Sequence, residues 1–202
     1  MKPTKIMSPG AVGQAEDTAN LQLATQTGIT LFMTGLSAAG KSSLAVAVSD
    51  LLKKKHGREA TILDGDIVRK KFSANLGYSK EDRDKNILYV ASVAQEIASS
   101  GGIAICAVIS PYIDTRGKVR ELLSGFGGFL EVYVSTPIEV CEKRDPKGLY
   151  AKARTGEITN FTGVNDPYEP PTDPDISINC ENLSPEEGAE MVLVRLDEIG
   201  LL

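Results

Sequence analysis

Residues 29–48 read ITLFMTGLSAAGKSSLAVAV. The run 29–34 is short and apolar, as a buried strand is. Gly35, Gly40, Lys41 and Ser42 then fit the spacing Gly-x-x-x-x-Gly-Lys-Ser. Beyond them Leu44, Ala47, Val48 and Leu51 recur at i, i+3, i+4 and i+7, which predicts an amphipathic helix. Strand, glycine loop and helix follow one another in the order an anion site requires. Glycine lets the backbone fold so tightly that several N–H groups face one anion. The helix N-terminus adds unsatisfied donors and the positive end of its dipole. Lys41 is spaced to reach the β- and γ-phosphates of a nucleotide, and the Ser42 hydroxyl to coordinate Mg2+. A chance turn would account for the glycines but not for strand, lysine, serine and helix in register. The chain is expected to bind a nucleoside triphosphate; the loop alone does not say which reaction follows.

Beyond this unit, strands and helices alternate. Strands are expected at 60–64, 103–110, 129–135 and 176–179, with 103–110 apolar throughout as when both sheet faces are covered. Helices are expected from Asp66 to Gly77, from Ser79 (with Asp82 in a capping-box pattern) to Gly101, near 114–123, after Thr136 with Pro137 at its first position, and after Ser184. This alternation predicts an α/β domain with a doubly wound, parallel, five-stranded sheet in three layers, with ligands beyond the C-terminal strand ends. Residues 1–27 read as a flexible arm with a short helix near AEDTANLQLA, and 28–202 as one kinase-sized domain. The stretch 144–171 has little apolar periodicity and mixes Arg144, Lys147, Lys152 and Arg154 with three glycines; a lid over about 146–171 is expected.

At 202 residues the chain has room for one sizeable core. Its net charge of −5 argues against nucleic acid or a membrane surface as partner. Three scattered cysteines read as unpaired thiols in a reducing compartment, and a lone histidine, His56, leaves a permanent zinc site almost no ligands. With no apolar stretch near membrane-span length and no signal-peptide core, the cytoplasm is the expected location.

Two further groups stand out. ILDGD sets Asp64 and Asp66 at the end of a strand that lies close to the glycine loop. An acid there coordinates or orients the metal, or takes a proton from an attacking hydroxyl. Asp-Gly is also a common turn pair, and beside a phosphate loop the chemical reading is preferred. Arg69, Arg83, Asn86 and Arg116 offer groups for a second anionic substrate, Arg83 and Asn86 sharing a helix face; a solvated charged face is the alternative.

Taken together, GLSAAGKSS, LDGD followed by Arg69, NLGYSKEDRDKN, ISPY with Arg116, EVYVSTPIEVCEKRDPKGLYAKARTGEI and FTGVNDPYEPP closely resemble the adenylyl-sulfate kinase family over about 28–202. The resemblance implies transfer of the ATP γ-phosphate to the 3′-hydroxyl of adenosine 5′-phosphosulfate, with Mg2+. It implies Lys41, Asp66 and Ser110 as catalytic residues, Asp66 at the 3′-hydroxyl and Ser110 at a position some family descriptions assign to a phosphoserine intermediate. It implies an ATP site of Gly35, Ser37, Ala38, Ala39, Gly40, Lys41, Ser42, Ser43 and Arg144, the last against the adenine. The second nucleotide would meet Asp66, Arg69, Arg83, Asn86, Ile109, Ser110, Lys147 and Leu149, with Tyr78 and Phe161 stacking on its adenine. A homodimer and association with ATP sulfurylase are implied too.

The sequence departs from the family at Ile67, where asparagine is usual, at Tyr78 for phenylalanine, at Leu88 and Tyr89 for an arginine pair, and at Ile113 for arginine. Weaker binding of the second nucleotide or of inhibitory complexes is the expected effect. Two other readings stay open: a kinase of another small metabolite, and a non-catalytic nucleotide-binding domain that regulates a sulfurylase.

Overall fold

Five strands, β1 (Ile29–Thr34), β2 (Ala60–Asp64), β3 (Ile103–Ala107), β4 (Gly128–Val134) and β5 (Ile176–Ile178), form an all-parallel sheet in the order β2-β3-β1-β4-β5. The structure, a computed structural model, describes residues 27–72 and 75–202. The arm expected over 1–27, with its short helix, therefore lies outside the described residues except for Thr27. The helices are α1 (Lys41–His56), α2 (Gly65–Phe72), α3 (Lys80–Ser99), α4 (Ile113–Leu123), α5 (Ile138–Arg144), α6 (Leu149–Arg154) and α7 (Pro185–Glu198). The three-layer, doubly wound architecture expected from the alternation is present.

β1 lies at the centre of the sheet with both faces covered, and all six of its residues are buried. Ile29, Leu31 and Met33 face a core shared with Leu44, Val48 and Leu52 of α1 and Val192 and Leu196 of α7. Phe32 points the other way, into a core with Ile87, Val90 and Ala94 of α3 and Val119 of α4. Each fully buried Leu, Val or Phe side chain contributes about 1.5–3 kcal/mol relative to exposure. The chain winds from β1 toward β2 and β3 on one side and β4 and β5 on the other, so a crevice opens at the C-terminal end of β1. No helix among the described residues is long and apolar enough to cross a membrane. All three cysteines are buried and free.

Local signals fared unevenly. Ser184 caps α7 with a complete capping box through Glu187 and with Pro185 at the first position. Ser79 caps α3 by accepting from Asp82 N–H at 3.2 Å, but the Asp82 carboxylate turns to Gly77 N–H instead of completing the box. Thr136 does not cap α5: its hydroxyl donates to Ala39 O at 2.7 Å and accepts from Cys180 N–H at 3.2 Å, a tertiary use that outcompetes the local one. α2 ends at Phe72, short of Gly77, and Arg69 bonds the carbonyls of Leu76 and Gly77. β3 stops at Ala107 instead of residue 110, because Ser110 turns to φ 44° with its carbonyl held by side chains. The 146–171 stretch is no free loop: α6 lies within it, and Tyr150, Ala153 and Thr162 are buried.

Candidate active site

The loop 35–42 leaves β1 with Gly35 at φ 152°, where an added Cβ would sit 2.5 Å from Val134 O. Gly40 at φ 113° precedes α1, and Ala38 holds φ 59°, a left-handed conformation uncommon outside glycine. What holds this shape is a set of donors on the loop carbonyls. Tyr150 OH donates to Ser37 O at 3.1 Å. Arg144 Nη1 reaches Ala38 O at 3.4 Å and Ala39 O at 3.3 Å, while its Nη2 bonds Cys180 O. Thr136 adds its bond to Ala39 O. In a trans peptide N–H lies opposite C=O. Pinning Ser37 O and Ala39 O on one side therefore turns the N–H groups of Ala38 and Gly40 to the other, as an anion cradle needs.

Lys41, at the start of α1, is 8% exposed. Its Nζ donates to Gly35 O at 2.9 Å and Leu36 O at 2.6 Å, which leaves one of three N–H bonds for a phosphate oxygen. Burial lowers its pKa to about 8, against the partial opposition of neighbours that include the Asp66 and Asp64 carboxylates. Ser42 Oγ donates to Asp64 Oδ2 at 2.6 Å. Asp64 Oδ1 accepts from Asp66 N–H at 3.0 Å, so the carboxylate that meets the loop serine also starts α2 and aims Asp66. Asp66 is paired in turn with Lys147, 81 residues on, and both side chains are more than half exposed. Ser43 is exposed in the first turn of α1. Lys41, Ser42, Asp64, Asp66 and Lys147 thus converge on one place.

On the other flank, Arg83 is buried and braces three segments: Nε donates to Tyr78 O at 3.0 Å, Nη1 to Thr162 Oγ1 at 2.9 Å, and Nη2 to Asn160 O. It thereby ties the neighbourhood of Tyr78 to that of Phe161. Arg69 lies over the exposed Tyr78 ring at 4.3 Å, and Phe161 sits edge-on to Tyr150 at 4.9 Å. Ile109 and Leu149 are half-buried. Asn86 Oδ1 and Ser110 Oγ are buried without a hydrogen-bond partner, a rare condition that a polar ligand would relieve. Arg116, expected among the cations for a second substrate, has another task. It is 4% exposed, pairs with Glu131 through Nε at 3.2 Å, and donates to the carbonyls of Ser110 at 2.6 Å and Glu169 at 2.5 Å. Its charge neutralises a buried carboxylate rather than facing the crevice.

Sequence reasoning passed over Asp145, Tyr150, Asp166, Tyr168 and Thr34, and read Thr136 only as a helix cap. Asp145 starts α6: Oδ1 accepts from the N–H groups of Leu149 and Tyr150 and Oδ2 from that of Ala151. Desolvation pushes its carboxyl up, but the three backbone N–H bonds outweigh it and hold it below the ordinary value. Asp145 stands three residues before the N-cap Gly148, outside the usual capping position, so its spacing gave no capping signal. Asp166 accepts from Tyr112 OH at 3.0 Å and lies 3.7 Å from Arg83 Nε. Tyr150 and Tyr168 act on partners more than a hundred residues away and carry no local signal.

The chain as a whole is similar to known proteins. An adenylyl-sulfate kinase from Halothermothrix orenii is 49% identical over 177 residues, 88% of this chain and 94% of its own length. A sulfate adenylyltransferase from Neurospora crassa is 44% identical over 178 residues, 88% of this chain but only 31% of its own length. The APS kinase of Mycobacterium tuberculosis, solved in complex with AMPPNP and APS, superposes with a TM-score of 0.81 at 42% identity, covering 85% of this chain and 99% of that one. The family model described as adenylylsulphate kinase matches residues 27–179, from the strand that feeds the glycine loop through the 146–171 stretch. The chain belongs to the adenylyl-sulfate kinase family.

Proposed function

We propose that the chain transfers the γ-phosphoryl group of ATP to the 3′-hydroxyl of adenosine 5′-phosphosulfate, giving ADP and 3′-phosphoadenosine 5′-phosphosulfate in sulfate activation. The observation that carries the mechanism is the path Ser42–Asp64–Asp66–Lys147, which sets a carboxylate between the phosphate loop and the lid. Asp66 orients the 3′-hydroxyl and takes its proton as the oxygen attacks phosphorus and the bond to ADP breaks. Lys41 meets the charge on the transferred group. Gly35, Ser37, Ala38, Ala39, Gly40 and Ser43 hold the phosphates and Arg144 lies against the ATP adenine. Arg69, Arg83, Asn86, Ile109, Ser110, Lys147 and Leu149 receive the acceptor, with Tyr78 and Phe161 on its adenine. Transfer is direct: no carboxylate or imidazole bonds Ser110 Oγ to make it a nucleophile. The 146–171 lid keeps water from the phosphoryl group.

The hydroxyl and carboxylate oxygens of Ser42 and Asp64 are hard donors that fit Mg2+, and they would hold it. When bound with the nucleotide, the ion neutralises charge on the β- and γ-phosphates. The enzyme is further proposed to act in the cytoplasm, as a homodimer and beside ATP sulfurylase; the match within a sulfate adenylyltransferase supports the last. ADP release from MgATP, compared between adenylyl sulfate, gluconate, other nucleotides and no acceptor, tests the reading. Turnover is expected with adenylyl sulfate alone. Turnover only with another acceptor, or with none, refutes it.

A further inference from the structure

The P-loop and the loop after β3 are joined at one side chain. Thr34, the last residue of β1, is fully buried. Its Oγ1 donates to Ile109 O at 2.7 Å and lies 3.2 Å from Ser110 O. A hydroxyl has a single proton. With that proton on the carbonyls, the third contact, Tyr168 OH at 2.9 Å, is one in which Tyr168 donates and Thr34 accepts. Gly35 N–H donates to the same Ile109 carbonyl at 3.3 Å, and Arg116 Nη1 to Ser110 O. Two consecutive carbonyls thus receive two side-chain donors and one from the first residue of the glycine loop.

This concentration of donors has a structural cost to offset. Ser110 holds φ 44° without being glycine, a conformation costing about 1–2 kcal/mol. Such strain persists only where surrounding contacts over-determine it, and it gathers at functional sites. Tyr168 is itself locked, stacked on Tyr133 at 6.2 Å with 18° between the rings. Burial raises its pKa, so its hydroxyl keeps the proton it donates.

We propose that Thr34 is a positioning residue, whose hydroxyl fixes Ile109 and Ser110 in register with the phosphate loop and so sets the attacking oxygen against the γ-phosphorus. This rests on the reading above that Ile109 and Ser110 face the acceptor. Thr34 itself is fully buried. It acts through a shared anchor: a shift in the acceptor loop is a shift relative to Gly35.

The test is kinetic. Thr34→Val keeps the shape and deletes the hydroxyl; Thr34→Ser keeps the hydroxyl. Thr34→Val is expected to lower kcat with adenylyl sulfate about 10- to 100-fold, the scale on which small misplacements act. The Kd for MgATP should stay within about 3-fold, since the side chains that donate to the loop's carbonyls remain. Thr34→Ser should recover most of kcat, which a merely structural role, read as a fall in Tm, would not require. A wild-type kcat in folded Thr34→Val overturns the inference, as does a proportional loss of MgATP affinity. If Thr34→Val does not fold, Tyr168→Phe decides, because it removes the donor that orients Thr34. A several-fold drop in kcat with MgATP affinity intact supports the inference, and an unchanged kcat overturns it. Wild-type protein that transfers nothing to adenylyl sulfate refutes the functional reading and this inference with it. Wild-type turnover alongside unimpaired variants refutes the inference alone.

Discussion

Lys41→Met should abolish turnover while making the nucleotide-free protein more stable near neutral pH. Lowering the ammonium from 10.5 to about 8 corresponds to about 3 kcal/mol of unfavourable burial. Methionine fills similar space without charge, but it strips donors from Gly35 O and Leu36 O. At about 1 kcal/mol for each hydrogen bond, those losses offset roughly half to two-thirds of the gain. The net expectation at pH 7 is about 1–2 kcal/mol in favour of the variant. The sign then turns with pH. The folded pKa lies below the unfolded one, so between about 8 and 10.5 the unfolded chain holds a proton the folded chain has released. Wild-type stability therefore rises relative to the variant through that window. By the upper end the advantage should pass to the wild type. Urea unfolding of both proteins from pH 7 to 10.5, read as their difference, removes the titration of shared groups. A difference constant across that range would refute the argument, as would a variant destabilised at pH 7 by several kcal/mol. A second consequence concerns binding: phosphate charge pulls the ammonium's pKa back up, so MgATP binding near pH 8 should take up a proton. Calorimetry in buffers of different ionisation heat reads this directly.

Two other substitutions bear on the site. Asp66→Ala is expected to lower the single-turnover transfer rate about 100-fold or more, with MgATP affinity nearly kept. An equal fall in affinity and rate would mean that Asp66 serves the nucleotide instead. Asp145→Asn presents an amide donor where Ala151 N–H already donates, so it should loosen α6 and, through Tyr150 and Lys147, raise KM for both substrates about 5-fold. Unchanged KM values would show that α6 keeps its place without these bonds.

The parts of the molecule legible in the sequence are those whose cause is local. A short, largely apolar strand, a helix with period 3.6 and a glycine loop between them announce themselves within twenty residues, and β1, the loop and α1 are where they were expected. Ser184 and Glu187 cap as their spacing says because nothing distant competes for them. Thr136 looked the same and behaves otherwise, since Ala39 O and Cys180 N–H arrive from 97 and 44 residues away. Arg116 read as a substrate cation because sequence shows charge but not burial; Glu131, fifteen residues on, settles its role. Lys147 was read as a ligand for the acceptor, and its pairing with Asp66 across 81 residues has no signature in either segment.

The donors on the phosphate-loop carbonyls carry a last consequence. Thr136, Arg144 and Tyr150 all lie about a hundred residues beyond the loop they hold. The ordering entropy of the loop is therefore met when the domain folds, and a nucleotide arriving later does not have to supply it. It follows that the anion site is a property of the finished domain rather than of its motif. A chain cut after residue 135 would still contain GLSAAGKS, and any search by pattern would find it, but the loop would have lost every one of those donors and with them its shape.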